Sequence, residues 1–259
     1  MLVLQFAELT VALLIFARMT AFANLAPFFS LRGAPAIVKA GFGALFAILL
    51  FPAVDGGMVE SLSTGMFVFL LLKEVLLGLA MGYISGLTFN AIRTAGEFMD
   101  IQMGFAMASL FDPLGGSNVT LVGQFLNTMG LLLLLLSNAH HLLISAMVDS
   151  FELIPLGSAL FGGRVVYEVV EIFVGMFALA LRLAAPVLAV LVLATISLGL
   201  IARTVPQLNV FILGFLINNG LGMLMLALVM PIMVAIMGVV LDQMARDLGL
   251  VLSAMSGGI

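Results

Sequence analysis

The sequence predicts an all-α, polytopic membrane protein that forms one domain over residues 1–259, and three observations support this class. Hydrophobic residues make up 64% of the 259-residue chain and charged residues 8%, whereas soluble domains carry roughly 45–50% and about 25%. The mean hydropathy is +1.33. Two stretches carry no charge, Pro113 to Val148 and Thr204 to Leu241, and each exceeds the roughly 20 residues that span a bilayer as a helix. Lipid or partner protein must therefore cover most of the surface.

Six apolar segments follow one another, and we expect each to be helical because lipid leaves the backbone to satisfy its own hydrogen bonds. They run from about Thr10 to Ser30, Ala40 to Val54, Leu62 to Asn90, within Pro113–Val148, from Glu171 to Ala202, and within Thr204–Leu241. The first two are short. The last is compatible with one tilted helix or with a hairpin, because Asn218-Asn219-Gly220 is a turn signal and Pro231 a kink signal.

Composition also excludes several functions. The net charge of −4 and the lack of a basic cluster argue against nucleic acid as a partner. The chain has no cysteine, and it contains neither HExxH nor GxSxG. His140 and His141 are adjacent, so on a helix they point about 100° apart and do not share a metal easily. We therefore predict a protein that is not an enzyme, with no catalytic, cofactor-binding or metal site.

Three glycines, Gly78, Gly82 and Gly86, recur every four residues in the third segment. Small residues in one row allow a neighbouring helix to approach closely, which is how helices associate in lipid. The row therefore predicts tight helix packing, in preference to a substrate groove.

The most polar stretch follows, with Arg93, Glu97 and Asp100 along one stripe of a helix. Charges on an otherwise apolar helix must face protein or a wet cavity. Two interpretations are open, a solvated helix end at the membrane interface and a structural ion-pair network.

The next stretch, from Met103 to Asn118, is apolar yet interrupted by glycines and a proline, which predicts an irregular loop. Methionine side chains are flexible enough to fill a gap of variable shape, and non-helical backbone at membrane depth is tolerated only inside protein or along a cavity. A plug or gate is one interpretation; an interfacial loop packed on the protein's own helices is the other.

Several runs of residues occur in a recognisable order: Arg93-Thr94-Ala95-Gly96-Glu97-Phe98, Gln102-Met103-Gly104, Phe111-Asp112-Pro113, and Pro206-Gln207-Leu208-Asn209-Val210-Phe211 with Gly214-Phe215. These runs resemble the FliR family of flagellar biosynthesis proteins, which are export-gate subunits of type III secretion. The homologous subunit of virulence secretion systems shares the last run. One departure is visible, since Leu216 stands where the family commonly has proline after Gly-Phe.

The resemblance implies a structural, channel-forming subunit in the inner membrane of a bacterium, in the flagellar basal body and raised towards the periplasm. Its partners would be FliP-family and FliQ-family subunits, an FlhB-family subunit on the outside, and unfolded flagellar proteins passing through the centre. The loop would act as a plug, with these residues in it: Met103, Phe105, Met107, Leu110, Phe111 and Pro113.

A different class of function is the alternative. A stand-alone secondary transporter or small-solute channel would line its path with Arg93, Glu97, Asp100 and Arg182. The long charge-free runs favour the export-gate subunit, because substrate-coupled carriers usually place ionisable groups near the membrane midplane.

Overall fold

The computed structural model describes residues 2–27, 29, 35–54, 63–105, 120–205, 207 and 209–257, and within these ranges it contains seven α-helices and no β-strand. The helices are α1 (Leu2–Leu25), α2 (Ala36–Leu50), α3 (Thr64–Met103), α4 (Leu121–Leu136), α5 (Ala139–Leu153), α6 (Gly163–Thr204) and α7 (Val210–Met255). The predicted all-α class is confirmed.

Each of the six apolar segments contains an α-helix within the described residues, but the helices differ in length. Four helices are long and apolar enough to cross a membrane: Glu8–Leu25 of α1, Thr64–Met103, Gly163–Thr204 and Ile212–Met255 of α7. The helix α2 has 15 residues and is too short to cross a membrane. The fourth segment is broken into α4 and α5, which meet at 70° and would count together as a fifth span.

The break between α4 and α5 lies at Asn138, whose φ of 58° is left-handed. Asparagine tolerates this conformation better than most residues. The leucine run that ends at Leu136 gave no periodic signal of the bend.

Two helices run further than the sequence signals suggest. The helix α3 continues through the polar stretch to Met103, and α7 passes unbroken through Asn218-Asn219-Gly220. Of the two possibilities for the sixth segment, the structure has the single helix. The Asn219 amide donates to the Phe215 carbonyl one turn earlier, so its side chain is accommodated by the helix rather than by a turn.

The chain divides into two compact units. Unit 1 comprises Met1–Thr88, Leu135–Phe173 and Asp242–Ile259, and its fully buried core includes Leu14 and Phe22 of α1. Unit 2 comprises Phe89–Leu134 and Val174–Leu241. Its fully buried side chains include Ile92, Met99, Met103, Leu126 and Leu183.

Candidate functional site

The predicted plug segment begins at the C-terminal end of α3 in unit 2. Met103 is the last residue of α3 and is fully buried. Gly104 follows with a φ of +89°, a conformation that glycine adopts without strain. Phe105 is half-buried. The other predicted plug residues, Met107, Leu110, Phe111 and Pro113, lie outside the described residues.

The start of the segment contacts α7. Asn219 Nδ2 donates to the Met103 carbonyl oxygen at 3.2 Å and to the Phe215 carbonyl oxygen at 3.1 Å. The Met103 side chain packs against Gly222, where a Cβ would lie 2.7 Å from Met103 Cγ. At Gly104, a Cβ would lie 3.2 Å from the Phe215 ring. The last turn of α3 is thus held by both backbone and side-chain contacts.

The start of α4, which follows the segment in the chain, contacts the same part of α3. Asp100 accepts hydrogen bonds from the backbone N–H groups of Val122 at 2.9 Å and Gly123 at 3.0 Å, and it is 2% exposed. The first N–H groups of a helix have no partner within it, and they also favour a negative charge. Asp100 therefore caps α4 from another helix.

Asp100 corrects one prediction, since it does not join an ion-pair network with Arg93 and Glu97. Seven residues of helix separate Asp100 from Arg93 by about 10.5 Å along the axis, so a shared stripe does not bring them into contact. The unpaired N–H groups at the start of α4 lie within reach and satisfy both carboxylate oxygens.

Arg93 and Glu97 do pair with each other. Arg93 Nε donates to Glu97 Oε1 at 2.9 Å, and the side chains are 40% and 35% exposed. Such an exposed pair contributes little to stability, roughly 0.2–1 kcal/mol. In the same unit, a Cβ at Gly96 would lie 2.6 Å from the Gly123 nitrogen, so α3 and α4 approach closely here.

A polar cluster flanks the last turn of α3 in unit 2. Gln102 Nε2 and Asn218 Nδ2 both donate to Thr195 Oγ1, at 3.4 Å and 3.2 Å. Within the described ranges, the buried oxygens Asn218 Oδ1 and Asn219 Oδ1 accept no hydrogen bond. Sequence reasoning identified Asn218 and Asn219 only as a turn signal.

The described contacts do not join the four residues of the alternative transport path to one another. Arg93 and Glu97 are occupied with each other, and the Asp100 carboxylate is bound by backbone. Arg182 lies on an exposed face of α6, and among the described residues it forms no hydrogen bond or ion pair with the other three.

In unit 1, the glycine row of α3 packs against α1. A Cβ at Gly78 would overlap the Arg18 carbonyl oxygen and lie 2.9 Å from Ala21 Cβ. At Gly82 it would lie 2.7 Å from the Phe22 carbonyl oxygen, and at Gly86 it would lie 3.0 Å from that of Leu25. The row therefore allows contact between the two helix backbones.

The same contact contains a buried ion pair that sequence reasoning missed. Arg18 Nε donates to Glu74 Oε2 at 2.5 Å, and both side chains are 0% exposed. Arg18 Nη1 donates to the Ser150 carbonyl at 3.0 Å, and Nη2 to the Ile154 carbonyl at 3.1 Å. Glu74 Oε1 accepts from the Gly157 nitrogen at 2.7 Å. The signal was present, because each charge interrupts an apolar segment and therefore needs a partner.

Asp247 is another buried carboxylate that the sequence did not identify. Its Oδ2 accepts from Thr88 Oγ1 at 2.7 Å, and its Oδ1 accepts from Gln243 Nε2 at 2.7 Å. Both oxygens are satisfied within unit 1, so this is a packing contact rather than a reactive group. Across the described ranges, no group of three or more His, Cys, Asp or Glu is placed to hold a metal ion.

Comparison with known proteins places these features in a family context. The model of the family described as bacterial export proteins, family 1, matches residues 9–244. The flagellar biosynthetic protein FliR of Bacillus subtilis (strain 168) is 38% identical over 223 residues, which are 85% of this chain and 86% of that protein. FliR of Escherichia coli (strain K12) is 31% identical over 215 residues, covering 83% and 82%.

A relative with a different name also matches. The Yop proteins translocation protein T of Yersinia pestis is 31% identical over 196 residues, which are 74% of each chain.

Proposed function

Because the chain belongs to the FliR family of bacterial export proteins, we propose that it is a structural, channel-forming subunit of a flagellar type III export gate. At the coarser level it is a multi-pass membrane subunit of a type III export apparatus and has protein partners there. The observation that carries the finer proposal is a pair of hydrogen-bonded attachments at the last turns of α3, one from Asn219 to Met103 before the segment and one from Val122 after it to Asp100.

The proposed partners are FliP-family and FliQ-family subunits, with an FlhB-family subunit outside and unfolded flagellar proteins as substrates. The exposed apolar surface supports this arrangement. On α6, Val174 is 62% exposed and Leu193 64%, and only 22% of the apolar window of this helix is buried by the chain itself. Neighbouring subunits would cover part of this surface in the bacterial inner membrane.

The segment from Met103 to Asn118 is proposed as the plug of the closed channel. Its composition supports this role, since Phe105, Met107, Leu110 and Phe111 offer large apolar side chains within a run too rich in glycine and proline for a spanning helix. A hydrophobic constriction can block ions by excluding water. The attachments at Asp100 and Asn219 would keep such a constriction in place.

Replacing residues 106–118 with a short Gly-Ser linker tests the proposal. We expect the subunit to assemble with co-expressed partners, because the helices and both attachments remain. Vesicles containing the complex should then leak small ions. The measurement is efflux from proteoliposomes loaded with a halide-sensitive dye.

The same replacement in the α2–α3 connection, residues 55–62, is the matched control and should leave the vesicles sealed. An assembled complex that stays sealed without residues 106–118 would show that this segment is not the barrier.

A further inference from the structure

Within unit 2, the last turn of α3 packs on a specific site of α7. We call this site the seat; it consists of Asn219 and Gly222, which contact Met103. Carbonyl groups at the end of a helix lack partners within it. The Met103 carbonyl receives its hydrogen bond from Asn219, whose amide also donates to Phe215 within α7. One side chain thereby joins the backbones of two helices.

The seat also has a defined shape. The fully buried Met103 side chain occupies the space beside Gly222, where a Cβ would lie 2.7 Å from Met103 Cγ and 3.0 Å from Sδ. No other residue type fits at position 222 while Met103 keeps this place.

Immediately beyond the seat, Gly104 turns the chain with a φ of +89°. The positive φ favours glycine at this position, and the Phe215 ring lies 3.2 Å from where a Cβ of residue 104 would be, which is a tight contact. The chain therefore changes direction at one defined residue.

From this arrangement we infer that Asn219 and Gly222 are positioning residues of the gate, which fix Met103 and so set where the following segment begins. This rests on the proposed plug function, and on that basis the seat stays intact during export. Any rearrangement begins beyond Gly104. Movement of the seat itself would leave the buried Met103 carbonyl without its donor and open a cavity beside Gly222.

A disulfide can test whether the seat moves. The chain has no cysteine, so a Met103→Cys, Gly222→Cys pair would be its single disulfide. A Cβ at position 222 lies 2.7 Å from Met103 Cγ, one bond beyond Met103 Cβ. The two cysteine Cβ atoms would be at most about 4.2 Å apart, compatible with the roughly 3.5–4.5 Å found in disulfides.

We expect the oxidised pair, in the complex with its partner subunits, to export flagellar substrates at the level of the reduced pair. An assembled complex in which oxidation stops export, and reduction restores it, would overturn the inference. This readout does not depend on the deletion experiment, because it measures export rather than leakage.

A second variant tests the positioning role. Asn219→Leu removes the donor to Met103, and we expect at least a tenfold faster ion efflux from vesicles containing the assembled complex. Asn218→Leu is the matched control, since Asn218 is the adjacent residue and donates to Thr195 instead. Adding the oxidised Met103→Cys, Gly222→Cys pair to Asn219→Leu should restore the seal, and reduction should abolish the rescue.

Equal efflux for assembled Asn219→Leu and Asn218→Leu complexes would overturn the positioning role. If Asn219→Leu does not assemble, the export assay of the disulfide pair still decides whether the seat moves. Failure of the plug itself is distinguished by the linker replacement, which would then stay sealed in the presence of an intact seat.

Discussion

Two arginine–glutamate pairs in this chain have the same chemistry and opposite surroundings. Arg18 and Glu74 are 0% exposed, and each also forms hydrogen bonds with neighbouring backbone, whereas Arg93 and Glu97 are 40% and 35% exposed. Burial removes water as an alternative partner, so loss of one member strands the other charge only in the first pair.

Glu74→Gln should therefore destabilise the assembled complex by about 3–5 kcal/mol, because Arg18 is left charged and buried. Glu97→Gln is the matched control and should change stability by about 0–1 kcal/mol. The measurement is the temperature of thermal dissociation in detergent. Equal shifts for the two variants would show that water or lipid headgroups reach Arg18.

The sequence identified only some of these residue-level partners. The four-residue spacing of Arg93 and Glu97 is local, so helix geometry alone predicts their contact. Arg18 and Glu74 lie on different segments, and Asp100 binds the start of α4. Such partners depend on how the helices pack, and helix packing cannot be read from a single sequence.

At the scale of the helix, the contact between α1 and α3 depends on the absence of side chains along one row. Gly78 contacts the Arg18 backbone, so the helix packing and the buried ion pair occupy the same turn of α1. A methyl group added at Gly78 would push α1 away from α3 and would therefore also shift Arg18.

Gly78→Ala should thus lower stability by about 1–3 kcal/mol, the usual effect of overpacking, and reduce the yield of assembled complex. Gly238→Ala provides the comparison, since Gly238 lies within α7 with nothing within 4 Å. That change should be neutral or stabilising by up to about 1 kcal/mol, because alanine favours helices. Thermal dissociation of both variants measures the difference; a Gly78→Ala complex as stable as Gly238→Ala would contradict the close packing.

Helix boundaries were harder to predict than the helices themselves. Apolar runs predicted six helical segments because lipid or protein must cover them. The turn signal at Asn218-Asn219-Gly220 was overridden within α7, whereas the real break came at Asn138 after an uninterrupted leucine run. Turn propensities of about 1 kcal/mol decide little when tertiary packing favours another conformation.

On the scale of the whole molecule, the charge of Arg182 lies on an otherwise apolar exposed surface. Arg182 is exposed on α6 beside Leu181, which is 56% exposed, and it has no ion pair among the described residues. An arginine facing hydrocarbon costs roughly 2.5–3.5 kcal/mol. Coverage of this face by a partner subunit that offers a carboxylate would remove that cost.

If a partner carboxylate covers Arg182, we expect Arg182→Leu to reduce recovery of the assembled complex, since that carboxylate would lose its donor. Arg203→Leu, in the last turn of the same helix, should have a smaller effect. Co-purification with the partner subunits is the measurement. Unchanged or improved recovery with Arg182→Leu would mean that lipid covers this face.

The two attachments near the end of α3 limit how far the intervening chain extends. Residues 106–119 connect Phe105 to Thr120, and a fully extended chain spans at most about 3.3–3.6 Å per residue. Its middle, about seven residues from Phe105 and from Thr120, lies at most about 25 Å from these two residues. A plug of the proposed kind, joined at both ends to held helices, would be displaced rather than released and could close the opening again after each passage.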